Sequence, residues 1–569
     1  MSTAQRSPRS ILAAALVTAS FACAAAAQAP AIQWWHDLDA PSFGSAAVGD
    51  LDGDGRPEIV FGTYFNDERI VALNAEDGSV LWTYDTGGCN DASPVIADVD
   101  LDGALEVVVP GSSVCRVFCL AGATGALEWS ASTGTNSIDS PPAVADLDRD
   151  GKPEIVFGTF FGHVYCLDGE DGGQVWRADL GATSHIQSEP GIADLDGDGA
   201  LDVVVAQWAG DCRVYGRRGS DGGELWHSDA PGDWMYHGGS LADVDEDGKL
   251  EIAIGCYDGK VYLLNAEDGS TAWTYPGTFY MGAPTSIADL DGDGHLEIVY
   301  VDYDRVGVLS HTGTRQWQIT VGGNVFRGAA LADVDGNGGL DLVFGCDDGK
   351  LRARRGADGG AIWEIDLGAH CGAAFEMDHA PVLADFDGDG KLDAFVVGGH
   401  ADAVPANNHG RAYAVTAGEG TGPGWPMFRH DAWHSGRFGF APPVAAAAFR
   451  NAGGNPASHA AATLPRLGST YTARIDLGGT TGHSLAWLAG YATPITATLG
   501  GGQVLLVNAA DPNGELLGQA FVPGPLATYD LSVPPDLAFA GFAAATQALH
   551  LGGVQPFALS NAQDLCLGY

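Results

Sequence analysis

The sequence predicts an all-β chain: an eight-bladed β-propeller, with seven blades as the alternative, followed by a C-terminal β-sandwich. Three observations predict it. A nine-residue acidic loop occurs eight times, at steps of 48, 48, 48, 49, 46, 44 and 52 residues. Each loop is followed by short apolar, β-branched runs divided by turn residues, such as Ile59-Val60-Phe61. A tryptophan recurs at a fixed place late in each unit. Tandem units of about 48 residues with four short strands each form the pattern of propeller blades. No segment carries a sustained helical period.

The loop reads acid-x-acid-x-acid-Gly-x-x-acid. Positions 1, 3, 5 and 9 are Asp50, Asp52, Asp54 and Glu58 in the first copy, and Asp98, Asp100, Asp102 and Glu106 in the second. They are Asp146, Asp148, Asp150 and Glu154 in the third, and Asp194, Asp196, Asp198 and Asp202 in the fourth. The fifth has Asp243, Asp245, Asp247 and Glu251, and the sixth Asp289, Asp291, Asp293 and Glu297. The seventh has Asp333, Asp335, Asn337 and Asp341, and the eighth Asp385, Asp387, Asp389 and Asp393. Short carboxylates at alternate positions converge on a hard cation, and calcium takes six to eight oxygens. Position 7 offers its backbone carbonyl: Arg56, Ala104, Lys152, Ala200, Lys249, His295, Gly339 and Lys391. Glycine at position 6 permits the sharp turn. An EF-hand would need glutamate at position 12, where this chain has Phe61, Val109, Phe157, Val205, Ile254, Tyr300, Phe344 and Val396. Solvated acidic turns are the alternative to ion sites, but eight in register point to up to eight structural calcium ions.

Charge agrees. The chain has 73 acidic and 27 basic residues, a net charge of -46. Thirty-one of the acids are loop carboxylates, and eight divalent ions would bring the net charge to -30. A surface this acidic excludes nucleic acid and anionic membrane as partners.

In chain order, Arg6 and Arg9 precede an apolar stretch from Ile11 to about Ala27, with small residues at Ala25 to Ala29. Residues 1–29 read as a secretory signal, with a lipid anchor at Cys23 as the alternative. No other stretch is long and apolar enough to span a bilayer. Residues 30–436 carry the propeller. In the third unit Pro142-Ala143-Val144-Ala145, Glu154 to Gly158, His163 to Leu167 and Gln174 to Leu180 read as four successive strands. The fourth-strand tryptophans are Trp82, Trp129, Trp176, Trp226, Trp273, Trp317 and Trp363, assigned to packing between blades. Trp34 or Trp35 fits the same place before the first loop, and Trp425 fits it after the eighth. Either terminus is therefore able to supply the strand that closes the ring.

These loops and their following strands resemble FG-GAP or VCBS repeats, the family that includes the integrin α-chain propeller. The stretch Val164 to Trp176 is similar to the quinoprotein-type propeller repeat, without an identifiable clamp for that family's cofactor. Trp425-Pro426-Met427-Phe428-Arg429-His430-Asp431 resembles a closing motif of secreted bacterial proteins. The integrin resemblance implies calcium at the base of the propeller, opposite the ligand face, and hence structural ions. Such repeats serve in adhesins, ligand-binding modules and some enzymes, so fold alone does not assign activity.

Cys89 and Cys371 fall in loops and read as disulfide candidates, whereas Cys256 and Cys346 read as core. Residues 437–448 form an Ala/Pro-rich linker. Residues 449–569 are nearly free of charge, alternate as strands at Tyr471 to Asp476 and Gln503 to Val507, and read as the sandwich.

Loops joining each fourth strand to the next first strand gather at one mouth of a propeller. Those ahead of the later acidic loops carry His185, Glu189, Trp234, Tyr236, His237, Tyr280, Arg327, Glu376 and His379, the candidate ligand-binding residues. Aromatics beside polar groups at a concavity suit an extracellular protein or glycan. The reading is a secreted, calcium-stabilised, non-catalytic binding propeller. One alternative is a lyase-like polysaccharide enzyme using Arg327, His237, His379 and Glu376, although no spacing brings any two of them together. Another is a structural surface or matrix component.

Overall fold

The computed structural model describes residues 29–181, 183–420, 423–431 and 434–437, together with the backbone of ten strands between residues 446 and 566. Most of the expected signal segment lies outside the described residues. Eight antiparallel sheets follow one another around a ring, one per acidic loop. The third blade is representative: Ala143–Ala145, Glu154–Gly158, His163–Asp168 and Gln174–Asp179 pair in sequence order. The second strands, such as Glu58–Gly62 and Glu154–Gly158, are buried at every residue. Their near-continuous apolar runs follow from that, because each blade is covered on both faces by its neighbours.

The ring is closed by the N-terminal strand. Ile32–Leu38 pairs antiparallel with His409–Gly418 and becomes the outer strand of the eighth blade, beyond Val382–Ala384 and Leu392–His400. Trp34, and not Trp35, takes the tryptophan place: it opposes Ala414 and is 7% exposed, whereas Trp35 is 51% exposed. Trp425, which the sequence allowed as a fourth-strand tryptophan, lies elsewhere. Its strand, Pro423–Trp425, adds to the innermost strand Ala330–Ala332 of the seventh blade. The chain then follows the inner strands of other blades. Pro426 O accepts from Leu383 N, Ser435 O from Ile192 N, and Gly436 O from Leu241 N. The apparent closing motif is therefore a plug that satisfies backbone groups exposed at the channel wall.

The recurrent tryptophan joins blade to blade. A β-bulge accompanies it in every blade, as between Cys166 and Leu167 opposite Trp176 in the third. The bulge bends the outer strand and turns the indole toward the next blade. Seven indoles donate to a carbonyl at or just after the end of the next blade's third strand: Trp34 to Ala75, Trp82 to Gly122, Trp129 to Gly169, Trp176 to Gly219, Trp273 to His311, Trp317 to Gly356 and Trp363 to Ala417. Trp226 Nε1 is the exception, buried without a hydrogen-bond partner. The rings of Trp34, Trp82, Trp129, Trp176, Trp226, Trp273 and Trp317 also lie over a glycine of that turn. At Gly222 φ is +69°, and an added Cβ would stand 2.6 Å from the Trp176 ring.

Beyond residue 445 the strands form a five-stranded antiparallel sheet, a three-stranded sheet and a pair. The expected strand at Tyr471 to Asp476 is Thr470–Asp476, and that at Gln503 to Val507 is Val504–Val507. The first strand, Ala446–Arg450, begins within the stretch that reads as linker. Among the described residues helix is confined to Leu367–Cys371 and a turn of 3-10 helix at Pro405–Asn407. No helix among the described residues is long and apolar enough to cross a membrane. Cys89 and Cys371, expected as disulfide candidates, are free thiols like the six other described cysteines.

Gly222→Ala is expected to lower unfolding free energy by about 2 kcal/mol, combining a strained positive φ with overpacking against Trp176. Equilibrium urea denaturation measures it, and an unchanged midpoint would show that the turn and the indole give way freely.

Candidate metal loops and the opposite mouth

The acidic loops lie between first and second strands, so they share one face of the ring with the third-to-fourth turns. The loops are ordered by their own backbone. Position 1 accepts the N–H of the position 6 glycine in all eight, as Asp50 does from Gly55 at 3.0 Å and Asp385 from Gly390 at 2.9 Å. Position 9 accepts the N–H of position 2, as Glu58 does from Leu51 at 2.7 Å. Position 7 side chains point away from the loop: Arg56, Lys152, Lys249 and Lys391 pair with Glu76, Glu170, Glu267 and Glu419 in the adjoining turn or strand end.

The donor sets fit a hard cation. Three carboxylate oxygens lie within 4.8 Å of one another in Asp50, Asp52 and Asp54; in Asp98, Asp100 and Glu106; in Asp146, Asp148 and Asp150; in Asp194, Asp196 and Asp202; in Asp243, Asp245 and Glu251; and in three further groups. Asp243 Oδ1 is buried without a hydrogen-bond partner. Burial first, and neighbouring carboxylates with it, push the position 9 acids up. The values are about 6 at Asp202, about 7 at Glu58, Glu251, Glu297, Asp341 and Asp393, and about 8 at Glu106 and Glu154. Backbone donors alone do not offset the cost of burying these charges, whereas a divalent ion would.

The opposite mouth is built from two concentric sets of repeat positions. Seven residues before each acidic loop stand Phe43, Asp91, Asp139, Gln187, Tyr236, Gly282, Phe326 and Asp378. All but Gly282 line a cavity of about 360 Å³ at the ring's centre, with Tyr64, Asn324 and Arg327. Burial is the main cause lifting Asp91 to about 8, Asp378 to about 6 and the Tyr236 hydroxyl to about 12.

Outside it lies an arc of rings. Nine residues before the loops stand His185, Trp234 and Tyr280; fourteen residues after their starts stand Phe160, Trp208, Tyr257 and Tyr303. The two sets alternate around blades three to six. Ring centroids are 5.3 Å apart for Phe160–His185, 5.6 Å for His185–Trp208, 5.4 Å for Trp208–Trp234 and 6.0 Å for Trp234–Tyr257. The series continues with Tyr257–Tyr280 at 4.6 Å, stacked, and Tyr280–Tyr303 at 5.4 Å. Trp234, Phe279 and Tyr303 are exposed, and Arg305 lies over the Phe279 ring at 5.0 Å. Beyond blade six the same positions turn polar, as Asn324, Asp347 and Glu376.

The nine candidate ligand residues thus fall in four places. His185, Trp234 and Tyr280 belong to the arc, and Tyr236 and Arg327 line the cavity. Glu189, His237 and His379, expected on an open face, are shut away from solvent. Glu376 is exposed and faces His400 at 3.7 Å. The plug explains the burial. Phe428 packs edge-on to His237, with centroids 5.9 Å apart, and Arg327 lies between Phe326 and Phe428. Glu189 accepts from His237 Nδ1 at 2.7 Å and from Gly238 N at 2.6 Å. Burial would raise Glu189, but the charges of His237 and Arg429 and these hydrogen bonds bring it down to about 2. Arg429, itself buried, donates to Gly239 O at 2.9 Å. The proposed acid/base residues therefore do not form a single accessible set. Sequence reading passed over Asp91, Asp139, Asp378 and Trp208, although a count from each loop start would have marked them.

Residues 50–109 and 98–157 match the FG-GAP-like repeat, and residues 151–278 and 220–400 match the family described as outer membrane protein assembly factor BamB. Residues 50–400 of this eight-bladed propeller thus carry FG-GAP-like and BamB-like repeats. No curated protein matches it in sequence. Among solved structures it resembles the V. cholerae biofilm matrix protein Bap1, at 17% identity and TM-score 0.53, over 73% of this chain and 94% of that one. It also resembles a europium-containing methanol dehydrogenase, at 13% identity and TM-score 0.51, over 68% and 93%. The quinohemoprotein alcohol dehydrogenase of Comamonas testosteroni follows at 15% identity and TM-score 0.50, over 69% and 77%. At these identities the likeness is one of fold.

The raised position 9 acids set a pH dependence. Their protons are held more tightly in the folded than in the unfolded chain, so their contribution is fully present below about pH 4 and lost as pH rises through 6 to 8. In chelator the melting temperature should fall between pH 5 and 8, and excess calcium should remove the fall. A chelated sample that grows more stable over that interval would contradict this.

Proposed function

We propose that this chain is a secreted, calcium-stabilised propeller that binds an extracellular glycan on the face opposite its metal loops, without converting it. The observation that carries the reading is the arc of contiguous, partly exposed aromatics around blades three to six. Planar rings of this size offer large contact area at small entropic cost, and an apolar surface rimmed by polar groups marks an interaction site. The fold likeness to a biofilm matrix protein supports an extracellular role. An extracellular protein partner is the second reading, and a purely structural matrix role the third.

Calcium would be held by positions 1, 3, 5 and 9 of each loop with the position 7 carbonyl. Its role is to offset carboxylate repulsion and pin each first-to-second strand turn. Two measurements test the proposal. Chelation should lower the melting temperature of the full chain by many degrees and calcium should restore it, through preferential binding to the folded state; no shift would remove calcium from the reading. On a panel of oligosaccharides, Trp234→Ala with Phe279→Ala should weaken retention at least tenfold while melting changes little, as expected for surface positions. Breakdown of any sugar would instead make the mouth an active site.

A further inference from the structure

Resting on that reading, we infer that the central cavity is a second, selective subsite that takes one non-anionic sugar unit, neutral or amino, from the end of a glycan. The cavity lies at the small end of the range of roughly 300 to 1,000 Å³ usual for ligand pockets, which suits a terminal unit and not a polymer. Its polar groups are unpaired in a complementary way. Asp91 Oδ1 and Gln187 Oε1 are buried acceptors without partners. Arg327 is 6% exposed, its Nε is buried without a partner, and its nearest carboxylate, Glu189, is 3.9 Å from Nη1. Buried polar groups left unpaired are costly, so each such group marks where a ligand atom belongs.

The pattern selects the ligand. A carboxylate would satisfy Arg327 but would face Asp91, Asp139 and Asp378 together. A bare cation would satisfy those acids and leave the guanidinium unpaired. A hydroxyl both donates and accepts, so a polyol meets Arg327 and the carboxylates at once. Even with Asp91 held protonated by its burial, Asp139 and Asp378 stand against one arginine that already faces Glu189, on a chain of net charge -46, and so reject an acidic sugar and tolerate an ammonium. Gln187 Nε2 is already committed to Asp139 at 3.2 Å and Tyr236 Oη at 3.3 Å, which fixes its free oxygen as the acceptor. Tyr236 also touches Trp208, with centroids 6.2 Å apart, so a chain lying along the arc reaches the cavity with its end.

The test titrates the calcium-loaded full chain with a glucose tetramer, a glucosamine tetramer and a galacturonate tetramer. One of the first two should bind and galacturonate should not. Asp139→Asn with Asp378→Asn, both isosteric, should weaken binding at least tenfold at unchanged melting temperature. Should that pair unfold the chain, Gln187→Ala gives the same readout. Tight galacturonate binding would overturn the inference. So would unchanged affinity in the cavity variants when Trp234→Ala abolishes binding, a result that leaves the arc reading standing. Failure of every sugar to bind, or capture of a protein in their place, would sink both.

Discussion

The structure depends on closing a ring of eight sheets and filling the axis that closure leaves. Each blade is stable only between two others, since its second and third strands are apolar on both faces. The N-terminal strand removes the last free edge by pairing Trp34 to Leu38 with Gly410 to Ala414. In the same act it sets Trp34 against Ala75 of the first blade, repeating the contact made by the other tryptophans. An edge left open here would expose unpaired backbone groups and two apolar faces.

Filling the axis has consequences for the mouth. Segments 423–431 and 434–437 run along the inner strands of several blades and bring Phe428 and Arg429 beneath the cavity. Their presence turns Glu189, His237 and Arg327 from mouth residues into a buried layer, in which His237 is hydrogen-bonded to Glu189 and Arg327 is held between Phe326 and Phe428. That layer is the floor on which the cavity stands. One end of the ring thus holds a set of repeated carboxylate loops, and the other a non-repeating collection of aromatics and acids. The division follows from blade topology: first-to-second strand turns face one way, and fourth-to-first connections face the other.

Much of this was legible in the sequence. The eight loops, the glycine at position 6, the β-branched runs and the tryptophans are local or nearly periodic features, and apart from Trp425 each appears in the structure where its spacing put it. The concentric rings of the mouth were equally periodic but less visible, because their chemistry changes from blade to blade. Phe43, Asp91, Gln187 and Tyr236 share a repeat position and no chemical likeness. His237 and His379 misled for the opposite reason: they occupy loops, yet a segment almost two hundred residues beyond His237 buries one of them.

What the sequence determined by itself was the repeat: the four-strand order of each blade and the positions of the acidic loops, because these rest on contacts within one unit or between units at similar separation. Only the tertiary structure decided which terminus closes the ring, that Trp425 serves an inner strand, that the eight described thiols stay unpaired, and which mouth residues remain open. Those outcomes turn on contacts between segments tens to hundreds of residues apart. No periodicity records such contacts, because each is made only once in the chain.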